Sequence, residues 1–152
     1  MSGTGDRPFA VVTGGSNGIG FELAKQFLSN GYDVLIAAQD GAHLAQAAQQ
    51  LSGAGEGEVM THAADLSRQD GVDALYDAIR AAARPVDVLC VNAGFGLGGA
   101  FVETDLQREL QMIDLNVRSA VQLTKGSVKN PVSCSNCHHA HVPRGGVARL
   151  PS

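Results

Sequence analysis

An α/β fold, a doubly wound parallel sheet with helices on both faces, is what this sequence predicts. Two observations carry that expectation. Short β-rich apolar runs alternate with longer stretches of helical periodicity, the signature of strand–helix–strand units. The first such junction is also filled with glycines, where the chain must turn sharply from a strand into a helix.

The elements follow in order. Phe9 to Thr13 (FAVVT) reads as a buried strand. Residues 18–30 follow as a helix, with Ile19, Leu23, Phe27 and Leu28 at helical spacing and Gly31 closing it. Asp33 to Ala38 (DVLIAA) is a second buried strand. Asp40 is placed to cap a helix whose apolar face is Leu44, Ala47, Ala48 and Leu51. Glu58 to Ala63 is a weaker third strand. Ser67 and Asp70 form an expected capping box ahead of Val72, Leu75 and Ile79. Val86 to Val91 is a fourth strand. Thr104 and Gln107 form a second expected capping box. It opens a long helix carrying Leu106, Leu110, Ile113, Val117 and Val121 on one stripe. Right-handed crossovers narrow the topology to a doubly wound sheet, and the expected strand order is 3-2-1-4, half of a Rossmann-type arrangement.

Composition excludes several classes. The chain has 152 residues, 44% apolar and 17% charged, with net charge −4. That suits a globular core and gives no electrostatic footprint for nucleic acid or an anionic membrane. No apolar run reaches the ~18 residues of a membrane span. The N-terminus lacks a signal-peptide pattern, so a cytoplasmic location is the expectation.

The composition changes near residue 125. All 15 acidic residues precede it. The remainder holds Lys129, Arg144 and Arg149, three of five prolines, two of three cysteines and three of five histidines. The chain therefore divides into a domain over residues 8–125 and an irregular, disordered tail over 126–152. Within the tail, Cys134-Ser135-Asn136-Cys137-His138 matches a haem-attachment pattern, but no export signal accompanies it. Cys134, Cys137, His139 and His141 are weak zinc candidates without a second knuckle. The expectation is no bound metal.

Gly14-Gly15-Ser16-Asn17-Gly18-Ile19-Gly20 lies between the first strand and first helix. Glycines there let backbone approach a pyrophosphate, and helix N–H groups face the anion. A later run, Gly94-Phe95-Gly96-Leu97-Gly98-Gly99, also fits GxGxxG, but it follows the fourth strand and reads as a flexible loop beside the cofactor. The first loop's spacing, Gly14-x3-Gly18-x-Gly20, resembles that of the short-chain dehydrogenase/reductase family.

The resemblance continues in order through Asp65-Leu66, Asn92-Ala93-Gly94 and Asn116. It implies an NAD(P)-dependent oxidoreductase of carbonyls or alcohols. Gly14, Ser16, Asn17, Gly18, Ile19 and Gly20 would hold pyrophosphate. Asp65 with Leu66 would meet adenine, and Asn92, Ala93 and Gly94 would line the cleft. Asn116 would hold a water of the proton relay. Read without the family, Asp65 also suits a helix cap, Asn92 a bridge between strand ends and Asn116 a polar helix face. By resemblance, Ala38 stands where NAD-preferring members carry Asp and Gln39 where many NADP-preferring members carry Arg. The missing carboxylate tilts the expectation to NADP.

The family's Tyr-x-x-x-Lys is not found. Tyr32 is followed four residues on by Ile36, and Tyr76 by Arg80. A phenol needs a cationic neighbour to act near neutral pH. The slot for the catalytic Ser reads His138-His139-Ala140-His141. The expectation is a truncated, catalytically inactive chain, with a substrate only in an intact relative. The alternatives are a non-catalytic NAD(P)-binding module and a frameshifted fragment. The 106–121 helix, losing its usual cover, would drive homo-oligomerisation or aggregation.

Overall fold

The structure, a computed structural model, describes residues 7–129. Four parallel strands form one sheet in the expected order β3-β2-β1-β4. They are β1 (Phe9–Thr13), β2 (Asp33–Ala38), β3 (Val59–Ala63) and β4 (Val88–Cys90). β1 and β2 are buried on both faces, which is why their sequences read as continuous apolar runs.

Alternation along the strands builds two cores. Ala10, Val12, Val34 and Ile36 pack against α1 (Gly18–Ser29) and α2 (Gly41–Leu51) through Ala24, Leu28, Leu44, Ala47 and Leu51. Phe9, Val11, Leu35 and Ala37 face α3 (Gln69–Ala81) and α5 (Ala120–Lys129), meeting Val72, Leu75, Ile79 and Leu123. Each fully buried side chain of this size contributes about 1.5–3 kcal/mol.

Helix ends follow the sequence at α1 and α2. Gly31 takes φ +82° just past α1, and the Asp40 carboxylate accepts the N–H groups of Ala42 and His43 at 2.8 and 3.0 Å. Both expected capping boxes fail further on. α3 starts at Gln69, because the Ser67 hydroxyl donates to Asp65 at 2.6 Å and Asp70 pairs with Arg68 at 3.0 Å. α4 (Leu106–Ile113) starts one residue after Asp105. Thr104 bonds Glu109 and the Phe101 carbonyl in place of Gln107.

Two further differences concern length. β4 spans Val88–Cys90, not Val86–Val91. At Asp87 the N–H still donates to the Phe9 carbonyl at 2.8 Å, but the Phe9 N–H goes to the Asp87 carboxylate at 2.7 Å. The long helix is also not uniform. A π turn, Asp114–Ser119, separates α4 from α5, and such turns widen a helix by one residue locally.

α5 continues to Lys129, past the composition change at residue 125. The Tyr76 hydroxyl ties α3 to it, donating to the carbonyls of Gln122 and Leu123 at 2.5 and 2.9 Å. Gly126 is required there, since a Cβ would overlap the phenol. The haem-like and zinc-candidate residues at 134–141 lie outside the described residues. Among the described residues no cluster of three metal-ligating side chains occurs, and no helix is long and apolar enough to cross a membrane.

Candidate active site

The glycine turn sits at the carboxyl ends of β1 and β2. Gly14 and Gly15 donate their N–H groups to the Ala37 carbonyl at 2.7 and 3.3 Å, pinning the turn to β2. Gly14 and Gly18 have φ of +68° and +55°, a region L side chains avoid. Gly20 lies directly under the Gly14 carbonyl, where any Cβ would overlap that oxygen. Asn17 begins α1 in an extended conformation without a side-chain cap bond. The first-turn N–H groups of α1 are thus left for an external acceptor.

β4 delivers Asn92 and Ala93 to the same place. Their N–H groups both donate to Thr13 Oγ1 at 3.0 Å, and Asn92 Nδ2 reaches the Thr13 and Gly14 carbonyls at 3.1 and 3.4 Å. Asn92 therefore locks the glycine turn to the fourth strand. Cys90, two residues before it, is half-buried, and that burial pushes its thiol pKa up.

A cleft of about 530 Å³ opens over these strand ends. That size suits a small ligand or the end of a larger one. Of the residues singled out in the sequence, Gly14, Ser16, Asn17, Gln39, Asp65, Leu66, Ala93 and Gly94 line it. Gly18 and Ile19 line an adjoining hollow along α1, where Ile19 is 74% exposed. Gly20 and Asn92 lie beneath the loop as supports.

Asn116 stands in the π turn. Its Oδ1 accepts the Phe95 N–H at 3.1 Å and its Nδ2 donates to the Phe95 carbonyl at 2.9 Å. It grips both backbone polar groups of Phe95 in the loop after β4, a stronger tie than an ordinary polar-face residue makes. Asp65 also has a structural bond, accepting the Ser67 N–H at 3.0 Å and the Ser67 hydroxyl.

His43, Ser67, Phe95, Arg108, Gln111 and Leu115 line the cleft without having been singled out as site residues. Only Phe95 carried a signal, its place in the second glycine run. The Asp40 carboxyl on this rim is held below its usual range, chiefly by the His43 N–H it accepts.

The residues present fit a dinucleotide. Gly14, Gly15 and Gly20 leave no room for a Cβ, the helix end lacks a side-chain cap bond, and the cleft adjoins both. Similar proteins agree. The family model for short chain dehydrogenase matches residues 8–133. An uncharacterized oxidoreductase of Staphylococcus saprophyticus is 27% identical over 133 residues, covering 88% of this chain and 57% of that protein. L-sorbose reductase from Gluconobacter frateurii, solved with NADPH and L-sorbose, superposes with TM-score 0.75 at 31% identity. That match covers 83% of this chain and 48% of that one. An actinorhodin polyketide ketoreductase solved with NADPH gives TM-score 0.77 at 30% identity over 85% of this chain and 49% of that one. The chain spans roughly half the length of these three proteins. Glycine turn, Asn92 lock and Asn116 grip, with the family match over nearly all the described residues, place this chain in the short chain dehydrogenase family.

Proposed function

We propose that this chain supplies the dinucleotide-binding half of a cytoplasmic NAD(P)-dependent oxidoreductase of carbonyls or alcohols. The observation that carries the reading is the glycine turn, with Gly20 packed under the Gly14 carbonyl beside an uncapped helix end. When bound, the dinucleotide supplies or accepts hydride. The chain's own part is to seat the pyrophosphate at Gly14–Gly20, present Asp65 and Leu66 to the base, and hold the loop after β4 through Asn116.

NADP is the favoured cofactor in this reading. Ala38 puts no carboxylate at the end of β2 to bond the ribose hydroxyls that NAD leaves free. Asp40 is already engaged as the cap of α2. The NADPH in the similar L-sorbose reductase and ketoreductase supports the same choice.

The residues described here do not complete the proton transfer. Neither tyrosine lines the cleft. The Tyr76 phenol is bonded to α5 carbonyls, and burial pushes its pKa above 10.0, opposite to what a proton-relay tyrosine needs. The expected result is saturable NADPH binding below about 1 mM, followed by nicotinamide fluorescence, without carbonyl turnover. No saturation at that concentration would defeat the binding reading. Turnover that disappears in Asn116→Ala would defeat the inactive one.

Self-association belongs to the same proposal. Leu106, Leu110, Ile113, Val117 and Val121 are 46–61% exposed along α4, the π turn and α5. A continuous apolar stripe of this kind favours burial against a second copy. Light scattering should give a mass that rises with concentration, and Val117→Glu should lower it. A monomer at every concentration would contradict this.

A further inference from the structure

Six arginines lie among the described residues, and five of them pair with a carboxylate: Arg7, Arg68, Arg80, Arg84 and Arg118. Arg108 pairs with none of the described carboxylates. It stands in the first turn of α4 and lines the cleft. Its guanidinium carbon is 5.2 Å from the centroid of the Phe95 ring. Its Nη1 donates to Gln111 Oε1 at 3.0 Å.

Both neighbours are themselves anchored. The Phe95 peptide is gripped at N–H and carbonyl by Asn116. Gln111 Nε2 lies 3.5 Å from Ser67 Oγ, which donates to Asp65 Oδ1. A polar chain thus runs along one wall of the cleft from Arg108 to the Asp65 turn. The guanidinium is a flat cation set by a ring on one side and an amide at its edge. Such a group stacks well on an aromatic base, and its planarity matters as much as its charge.

We infer that Arg108 stacks on the purine of the bound dinucleotide, completing a Phe95–Arg108–purine stack next to the Asp65 turn. The inference rests on the dinucleotide reading above. Arg108 is exposed, so its removal leaves the fold intact.

The test is calorimetric titration of the full chain and of Arg108→Ala and Arg108→Lys with AMP, NADH and NADPH. Ligand-observed NMR covers the weaker nicotinamide mononucleotide. Arg108→Ala should weaken AMP, NADH and NADPH alike, by about tenfold, as loss of one base-stacking contact does. Nicotinamide mononucleotide should be unaffected, and Lys should restore little, since an ammonium has no plane to stack. A loss confined to NADPH and restored by Lys would overturn the inference and assign Arg108 to a phosphate. Unchanged affinities in Arg108→Ala, with the native chain binding normally, would also overturn it while leaving the dinucleotide reading standing. A native chain that binds none of these ligands would remove both.

Discussion

Asp33→Ala should lower the unfolding free energy by about 3 kcal/mol, enough to remove a large part of a small domain's stability. Asp33 opens β2 at the end of the sheet opposite the cleft, with a side chain only 3% exposed. Its Oδ2 pairs with Arg84 Nη1 at 2.5 Å, and its Oδ1 accepts the Glu58 N–H at 2.7 Å. Arg84 in turn lies 4.4 Å over the Phe9 ring. Alanine takes the carboxylate away from a mostly buried guanidinium and leaves the Glu58 N–H without its acceptor. Both changes desolvate a polar group without return. Asp33→Asn keeps an acceptor for Glu58 and should cost less. The exposed pair Arg80–Asp77 provides the contrast, with side chains 60% and 75% exposed. Asp77→Ala should fall within about 0.5 kcal/mol of the native chain. Urea denaturation measures all three. Equal midpoints for Asp33→Ala and Asp77→Ala would show that the buried pair contributes nothing special.

Gly20→Ala should abolish dinucleotide binding and destabilise the domain by more than about 2 kcal/mol. The added Cβ would overlap the Gly14 carbonyl oxygen and come within 2.6 Å of Asn92 Nδ2. Neither can move independently, because Asn92 bonds the Thr13 and Gly14 carbonyls and Gly14 is pinned to Ala37. The loop must lift as a unit, and α1 moves with it. Gly18→Ala is the control. Gly18 has φ +55° but open space around it, so the cost there is conformational, about 1 kcal/mol. Thermal melts combined with NADPH titration separate the two effects. A Gly20→Ala protein that binds NADPH like the native chain would refute this account of the turn.

Different parts of the fold were legible for different physical reasons. β1 and β2 were legible because burial on both faces writes them as apolar runs, polar only at one end of each, at Thr13 and Asp33. Asp40 was readable as a cap because its partners, Ala42 and His43, are local. The other caps were misread because their side chains found different partners: Asp65 for Ser67, Arg68 for Asp70 and Glu109 for Thr104. Asn116 was picked out by its position in the family pattern. Its grip on Phe95 needed the loop and the helix to meet in space. The π turn left no mark, since one extra residue per turn barely alters helical periodicity.

By itself the sequence determined the alternation of strands and helices, the parallel order 3-2-1-4, the glycine turn and the family. The alternation and the turn depend on side-chain period and the conformational freedom of glycine, which are local properties, while the family, and the sheet order it implies, follow by resemblance from motifs standing in order along the chain. The tertiary structure alone decided which side chains meet across the cleft. Arg108 and Gln111 on α4 and Ser67 and Asp65 after β3 are distant in sequence, and they meet on one wall only in the folded chain. The stripe from Leu106 to Val121, expected to lose its cover, faces outward in the structure. A helix's apolar stripe records that something must cover it, while the packing of the rest of the chain determines whether that cover comes from within.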